Sequence, residues 1–261
     1  VTPSCDWSRQ RTLLLRTGPS QFKFGLPPCA IEQARKFADR RTAKQQQDQA
    51  KGILLRIICV LVGSILASSL LTALLVQSGL DWRYFVWIQN SRAVGLLPLA
   101  DRVGYVAPVL VSLGLAAVAT VAPRRGAWSL TGASVAAALG GLAVSVALKS
   151  VTGRMSPPHH AFGAGLEGAD NSAAFQFGFL NQPLIGGWPS SHATVAFAVL
   201  VALVLLTRRR TYVVIFGSPL ALFIGLGVSF GYHWLSEFAS GILIGSAVGY
   251  AVAQSLGGPD F

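Results

Sequence analysis

Three short polar clusters interrupt an otherwise apolar chain, and their residue types suit the handling of a phosphate group. The first, Lys149-Ser-Val-Thr-Gly-Arg154-Met-Ser-Pro157, offers two cations, and an arginine fork matches phosphate oxygens. The second, Trp188-Pro189-Ser190-Ser191-His192, opens a helix whose first N–H groups lack intrahelical partners and so favour an anion. His192, just inside that helix start, is placed to give a proton to a leaving oxygen. The third, His233-Trp-Leu-Ser-Glu237, sets a histidine and a carboxylate four residues apart, on one face of a helix. The carboxylate can accept from one ring nitrogen and leave the other as a nucleophile. Together these supply a phosphate cradle, an acid, a nucleophile and an orienter.

Each piece alone has a plainer reading. Lys149 and Arg154 also suit snorkelling at a membrane interface. Ser190 and Ser191 suit a helix cap. His192 suits a structural histidine, and His233 with Glu237 a structural hydrogen bond. What favours a site is their placement at the same ends of separate membrane helices.

Those helices follow from hydropathy. About 20 mostly apolar residues span a bilayer, and six stretches approach that length: 53–76, 103–122, 127–148, 191–207, 212–232 and 234–256. The third is rich in Ala, Gly and Ser, which lets membrane helices approach closely, so it is expected to be central. Pro219 is a candidate kink in the fifth. Residues 80–100 are too broken to span, and Trp82, Tyr84, Phe85 and Trp87 suit an interfacial helix. The predicted fold is all-α: a polytopic bundle of six transmembrane helices with the site at its outer face. Residues 1–52 form a basic N-terminal segment, helical or disordered, 53–256 the membrane domain and 257–261 a short tail.

Composition fits this class. Of 261 residues, 52% are hydrophobic and 12% charged, against about 25% charged in soluble proteins. A disordered chain is excluded. The 21 Lys and Arg outnumber the 10 Asp and Glu, for a net charge of +11. With six spans, 16 of these 21 basic residues fall on one side, including Arg124, Arg125 and Arg208-Arg209-Arg210. The positive-inside rule makes that side cytoplasmic, with both termini there. A bacterial cytoplasmic membrane is expected, with the site facing the periplasm or exterior. The excess charge therefore sets topology, and no nucleic-acid partner is expected. The basic stretch 31–51 suits either anionic headgroups or a solvated tail. Cys5, Cys29 and Cys59 show no metal or disulfide spacing. Between Pro157 and Trp188 runs a Gly-rich loop with several Phe, read as a lid over a headgroup or as a structural plug. Its His159 and His160 read as plain loop in preference to metal ligands, and Glu167 and Asp170 as solvated.

At these residues the chain resembles the type 2 phosphatidic acid phosphatase family, integral-membrane lipid phosphate phosphatases whose motifs are Lys-x6-Arg-Pro, Pro-Ser-Gly-His and Ser-Arg-x5-His-x3-Asp. The resemblance covers about residues 53–256. It implies that His233 attacks phosphorus to form a phosphohistidine, Glu237 orients it, His192 protonates the leaving group, and Lys149 and Ser190 hold phosphate. Water then releases phosphate, and no metal or other cofactor is expected. The partners implied are a lipid phosphate or diphosphate and membrane lipids.

Three departures stand out. Ser156-Pro157 replaces the first motif's Arg-Pro, with Arg154 two residues earlier as a partial substitute. Leu226 and Gly227 replace the third motif's Ser-Arg, and Glu237 replaces Asp. Ser191 for Gly is mild, because its N–H survives. A charge-assisted hydrogen bond contributes about 1.5–3 kcal/mol, so losing two arginines is expected to slow a phosphatase unless Arg154 and one of Arg83, Arg92 or Arg102 compensate. Two alternatives follow: a lipid phosphotransferase using the same histidine pair, and a non-catalytic lipid-binding relative.

Overall fold

A computed structural model describes residues 28–121, 127–158, 170–180 and 187–256. Its elements are helical: α1 (Pro28–Gln77), α2 (Leu80–Gln89), a 3₁₀ turn (Arg92–Leu96), α3 (Leu97–Val121), α4 (Ala127–Thr152), α5 (Ser191–Leu206), α6 (Arg210–Val228) and α7 (Leu235–Ser255). The all-α expectation holds. The chain divides into two units, Val1–Leu54 and Leu55–Phe261. In the first, residues 35–49 are helical, and their described side chains are exposed. Residues 1–27 and the tail 257–261 lie outside the described residues.

The second unit is organised around α5. Twelve of its sixteen residues are Ala, Val or Leu, on inward and outward faces alike, and Ala193, Ala196, Ala198, Val199 and Ala202 are buried. It packs against α4, α6 and, most extensively, α7. Lipid tails are as apolar as leucine, so close van der Waals packing must hold such helices together, and small residues allow it. On α7, Gly241, Gly245 and Gly249 recur every four residues along one stripe. A Cβ at Gly245 would collide with the Thr194 carbonyl oxygen, and one at Gly249 with that of Ala198. The α5–α7 contact is thus backbone on backbone. Gly141 on α4 meets the same stretch of α5, at Thr194, Val195 and Ala198, so the small residues of α4 do allow close approach, but the central place expected for α4 belongs to α5.

Among the described residues, five helical stretches are long and apolar enough to cross a membrane: Arg35–Gln77, Arg92–Val121, Trp128–Thr152, Arg210–Val228 and Leu235–Ser255. This marks the chain as a membrane protein. The fourth of the six expected stretches, 191–207, falls short of that length. α5 is apolar but has 16 residues, or about 24 Å at 1.5 Å per residue. The polar cluster bounds it on one side and the arginine run on the other.

The broken segment 80–100 is better built than an interfacial helix alone. Its α2 does expose Trp87, but Phe85 is buried against Trp234 with ring centres 5.7 Å apart. Tyr84 hydroxyl and Ser229 Oγ are 2.7 Å apart. From Leu97 onward the segment already belongs to α3. α2 therefore has an inward face, and it leads to the site.

Candidate active site

All three polar clusters meet where α4 ends and α5 and α7 begin. Gly153 turns the chain out of α4 with φ +46°, a left-handed conformation that glycine adopts freely. A side chain there would also collide with the Gln176 carbonyl oxygen. That close approach lets residues 174–180 fasten along the end of α4: Met155 N–H donates to the Ala174 carbonyl, Gln176 to Gly153, Gly178 to Val151 and Leu180 to Ser150. The clusters are then cross-linked. Thr152 hydroxyl donates to the Trp188 carbonyl at 3.1 Å, joining the first to the second. Ser190 N–H donates to the Glu237 carbonyl at 3.1 Å, joining the second to the third. Trp234 indole N–H donates to the Met155 carbonyl at 2.9 Å, joining the third to the first. Trp188, whose bond to Pro189 is cis, sends its indole N–H to Thr72 and Ser240 hydroxyls.

A cavity of about 360 Å³ opens at this junction. Lys149, Ser191, His192 and His233 form its polar end. The rest of its wall is apolar and includes Leu139, Leu142 and Val146 of α4. From Lys149 to Ala138, the deepest lining residue on α4, the wall descends about 16 Å at 1.5 Å per residue.

His233 Nδ1 and Glu237 Oε2 are 2.7 Å apart, with both side chains almost wholly buried. Nδ1 is thus committed to the carboxylate and Nε2 is left for chemistry. Burial lowers the pKa of His233 from its ordinary 6.5; the hydrogen bond to Glu237 opposes this, and nearby Lys149 and Arg154 reinforce it. The ring is therefore held neutral, the form a nucleophile needs. Lys149 is 4% exposed at the cavity wall. Ser190 stands at the N-cap position of α5 without a side-chain capping bond, and its Oγ is buried with no hydrogen-bond partner. Ser191 Oγ accepts from Ser145 at 3.1 Å.

Arg154 sits elsewhere. It is 1% exposed, lies outside the cavity wall and is gripped on every side. Nη2 donates to Asp81 Oδ2 and to the Ser172 carbonyl, both at 2.7 Å, Nε donates to the same carbonyl at 3.1 Å, and Nη1 donates to Ser236 Oγ at 2.7 Å. Nη1 also lies 3.6 Å from Glu237 Oε1. Phe175 and Trp234 rings flank the guanidinium at 5.0 and 5.7 Å. Four of the five guanidinium N–H groups are used; the contact with Glu237 is an ion pair beyond hydrogen-bond distance, and Glu237 Oε1 is buried without a hydrogen-bond partner. Arg154 stands behind the histidine–carboxylate pair, not in front of it.

Asp81, which sequence reasoning passes over, completes this layer. Fully buried, it accepts from Ser236 N–H at 2.8 Å and from Ser236 hydroxyl, as well as from Arg154. It caps the start of α7 from a different helix. An acid in the apolar, aromatic sequence Leu-Asp-Trp-Arg-Tyr-Phe-Val-Trp is the available signal.

The positions of the absent arginines are now defined. Gly227 packs so tightly that a Cβ would collide with that of Ala100, so α3 occupies the space an arginine side chain would need to leave that position. Ser156 is half-buried, and its carbonyl accepts from Asn171 at 3.2 Å. Arg83, Arg92 and Arg102 are exposed, and none of the three lines the cavity. No group of three His, Cys, Asp or Glu side chains gathers among the described residues. His159, His160 and Glu167 lie outside them, as do the loop segments 159–169 and 181–186. Asp170 is described and exposed, with its carboxylate accepting from Ser172 N–H at 2.8 Å.

A family model, the PAP2 superfamily, matches residues 129–258, from the start of α4 to just past α7. The chain belongs to that superfamily, as the type 2 phosphatidic acid phosphatase resemblance implies. No curated protein and no solved structure matches it. Membership supports a hydrolase of the phosphatase type, acting on phosphate esters.

Proposed function

We propose that this protein is a membrane lipid phosphatase working through a phosphohistidine at His233. The observation that carries this is the joining of a buried His233–Glu237 pair to a cavity with one polar end and a long apolar wall. A lipid phosphate has the same two parts. Its phosphate would lie among Lys149, Ser190, Ser191 and the first N–H groups of α5, with a hydrocarbon chain along α4. His233 Nε2 attacks phosphorus as the bond to the lipid oxygen breaks, and His192 gives that oxygen a proton. Water then attacks the phosphohistidine, frees phosphate and restores His233. Lys149 and backbone amides, not a metal, would carry the developing charge. Arg154 would act from behind, holding Glu237 with Asp81 as its counterion.

α5 also counts as a crossing in this reading, which makes six. It is enclosed by α4, α6 and α7, so its short length need not match the bilayer. Six crossings return both termini to the side of Arg124, Arg125 and Arg208-Arg209-Arg210, which the positive-inside rule makes cytoplasmic. The cavity then opens toward the outer leaflet, in a bacterial cytoplasmic membrane toward the periplasm.

One observation supports a second reading, phosphotransfer to an alcohol in place of water. Lys149 is the only Lys or Arg among the described residues that line the cavity, which suits a singly charged phosphodiester better than a dianionic monoester. The test is a set of lipid monoesters, diphosphates and diesters offered to purified protein in detergent with a chelator, scoring free phosphate and new lipid products. Vanadate-sensitive phosphate release from monoesters or diphosphates supports the phosphatase. Turnover only when an alcohol is added supports transfer. Lipid retention with no product leaves a binding protein.

A further inference from the structure

α3 lies outside the segment that the family model matches, yet it forms the slot that holds His192. Three of its residues, at i, i+3 and i+4, surround the imidazole. Asp101 Oδ1 stands 3.5 Å from Nε2. Gly104 lies under the ring, where a Cβ would collide with Cδ2. Tyr105 meets it edge to face, with centres 4.7 Å apart. The side chains of His192 and Asp101 are 12% and 26% exposed, and Nε2 is a buried nitrogen without a hydrogen-bond partner.

We propose that Asp101 is the positioning residue for His192, forming with it a second histidine–carboxylate pair that delivers the leaving-group proton. The inference rests on the phosphohistidine reading above. At 3.5 Å the contact is long, but catalytic hydrogen bonds tighten when substrate fills a site. In the doubly protonated ring, Asp101 holds Nε2–H and Nδ1 carries the proton that moves to the departing lipid oxygen. The ring afterwards is neutral with its remaining proton on Nε2, a single tautomer fixed by the carboxylate. Gly104 is required because any side chain would evict the ring. The site is then two such pairs facing one phosphorus: His233 with Glu237 on the attacking side, His192 with Asp101 on the leaving side.

A proton donor matters for a poor leaving group such as an alkyl alcohol and little for p-nitrophenol, which leaves as the anion. The experiment compares kcat for a short-chain phosphatidic acid and for p-nitrophenyl phosphate in native, Asp101→Asn, Asp101→Glu, His192→Ala and doubly substituted Asp101→Asn/His192→Ala protein. The alkyl-to-aryl ratio should fall about tenfold or more in Asp101→Asn, within the range for general acid catalysis, and recover partly in Asp101→Glu. It should fall no further in the double variant than in His192→Ala. Equal losses on both substrates, or an unchanged ratio, would overturn the pairing while leaving the phosphatase intact. Turnover of neither substrate by native protein would overturn the parent reading and this inference with it.

Discussion

At the scale of single residues, the proposed reaction separates groups that would touch phosphate from groups that hold them. His233 is buried, and its pKa lies below the ordinary 6.5. In the proposed reaction its neutral form attacks while His192 carries a proton, so kcat/KM for an alkyl phosphate, corrected for ionisation of the substrate, should be bell-shaped, with its acid limb, where His233 gains its proton, at a pH below 6.5. A pH–rate profile checks this; an acid limb centred above the ordinary histidine value would mean that His233 is not the nucleophile. His192→Ala should cost about 10²–10⁴ in kcat on an alkyl phosphate, the range for general acid catalysis, with KM nearly unchanged. Asp81→Ala should act differently. It strands the buried Arg154 guanidinium and uncaps α7, and breaking a buried pair costs about 3–5 kcal/mol. A large fall in thermal midpoint in detergent is expected, and a midpoint near the native one would show that Arg154 finds another counterion. Lys149, His192, His233 and Glu237 are legible in the sequence because each sits at a helix end predicted from hydropathy. The place of Arg154 is not, because its partner Asp81 lies 73 residues away in sequence and nothing local reveals that pairing. Asp101 is hidden in the same way, at the start of a helix that reads only as a span.

At the scale of elements, helix packing decides what the site can contain. The stripe Gly241, Gly245 and Gly249 brings α7 onto the backbone of α5 and so sets the spacing between His192 and His233, one at the start of α5 and the other just before α7. Gly245→Val should push these helices apart. Overpacking typically costs about 1–3 kcal/mol, and here it should also lower kcat on every substrate, since both histidines move. A variant with lowered thermal midpoint but native kcat would show that the site is held by its cross-links and not by this stripe. Element types and approximate bounds follow from hydropathy, but two features do not. The broken segment 80–100 reads as interfacial because it holds charge and aromatics together, whereas Asp81 and Phe85 turn inward while Trp87 turns out. α5 reads as a span because its interior is apolar without interruption, whereas the polar cluster and the arginine run leave it only 16 residues.

At the scale of the whole molecule, the sparse charge has two uses. At the site it is nearly balanced: Lys149 and Arg154 stand among Asp81 and Glu237. At the opposite ends of the helices the runs Arg124-Arg125 and Arg208-Arg209-Arg210 are basic, and the proposed orientation follows from that. Phe179, fastened beside the end of α4, and Thr211, at the start of α6, lie at opposite ends of the bundle, are exposed and are not part of the cavity wall. With Cys5, Cys29 and Cys59 changed to Ser, a membrane-impermeant maleimide applied to intact cells should label Phe179→Cys and spare Thr211→Cys; the reverse pattern would invert the orientation. The central claim, a covalent phosphoryl group on His233, is tested most directly by acid-free quenching of purified protein during turnover of a ³²P-labelled lipid phosphate. Label is expected on the protein, stable to base, lost in acid, mapped to His233 and absent from His233→Ala. Phosphate release by His233→Ala at the native rate, or label on another residue, would contradict it.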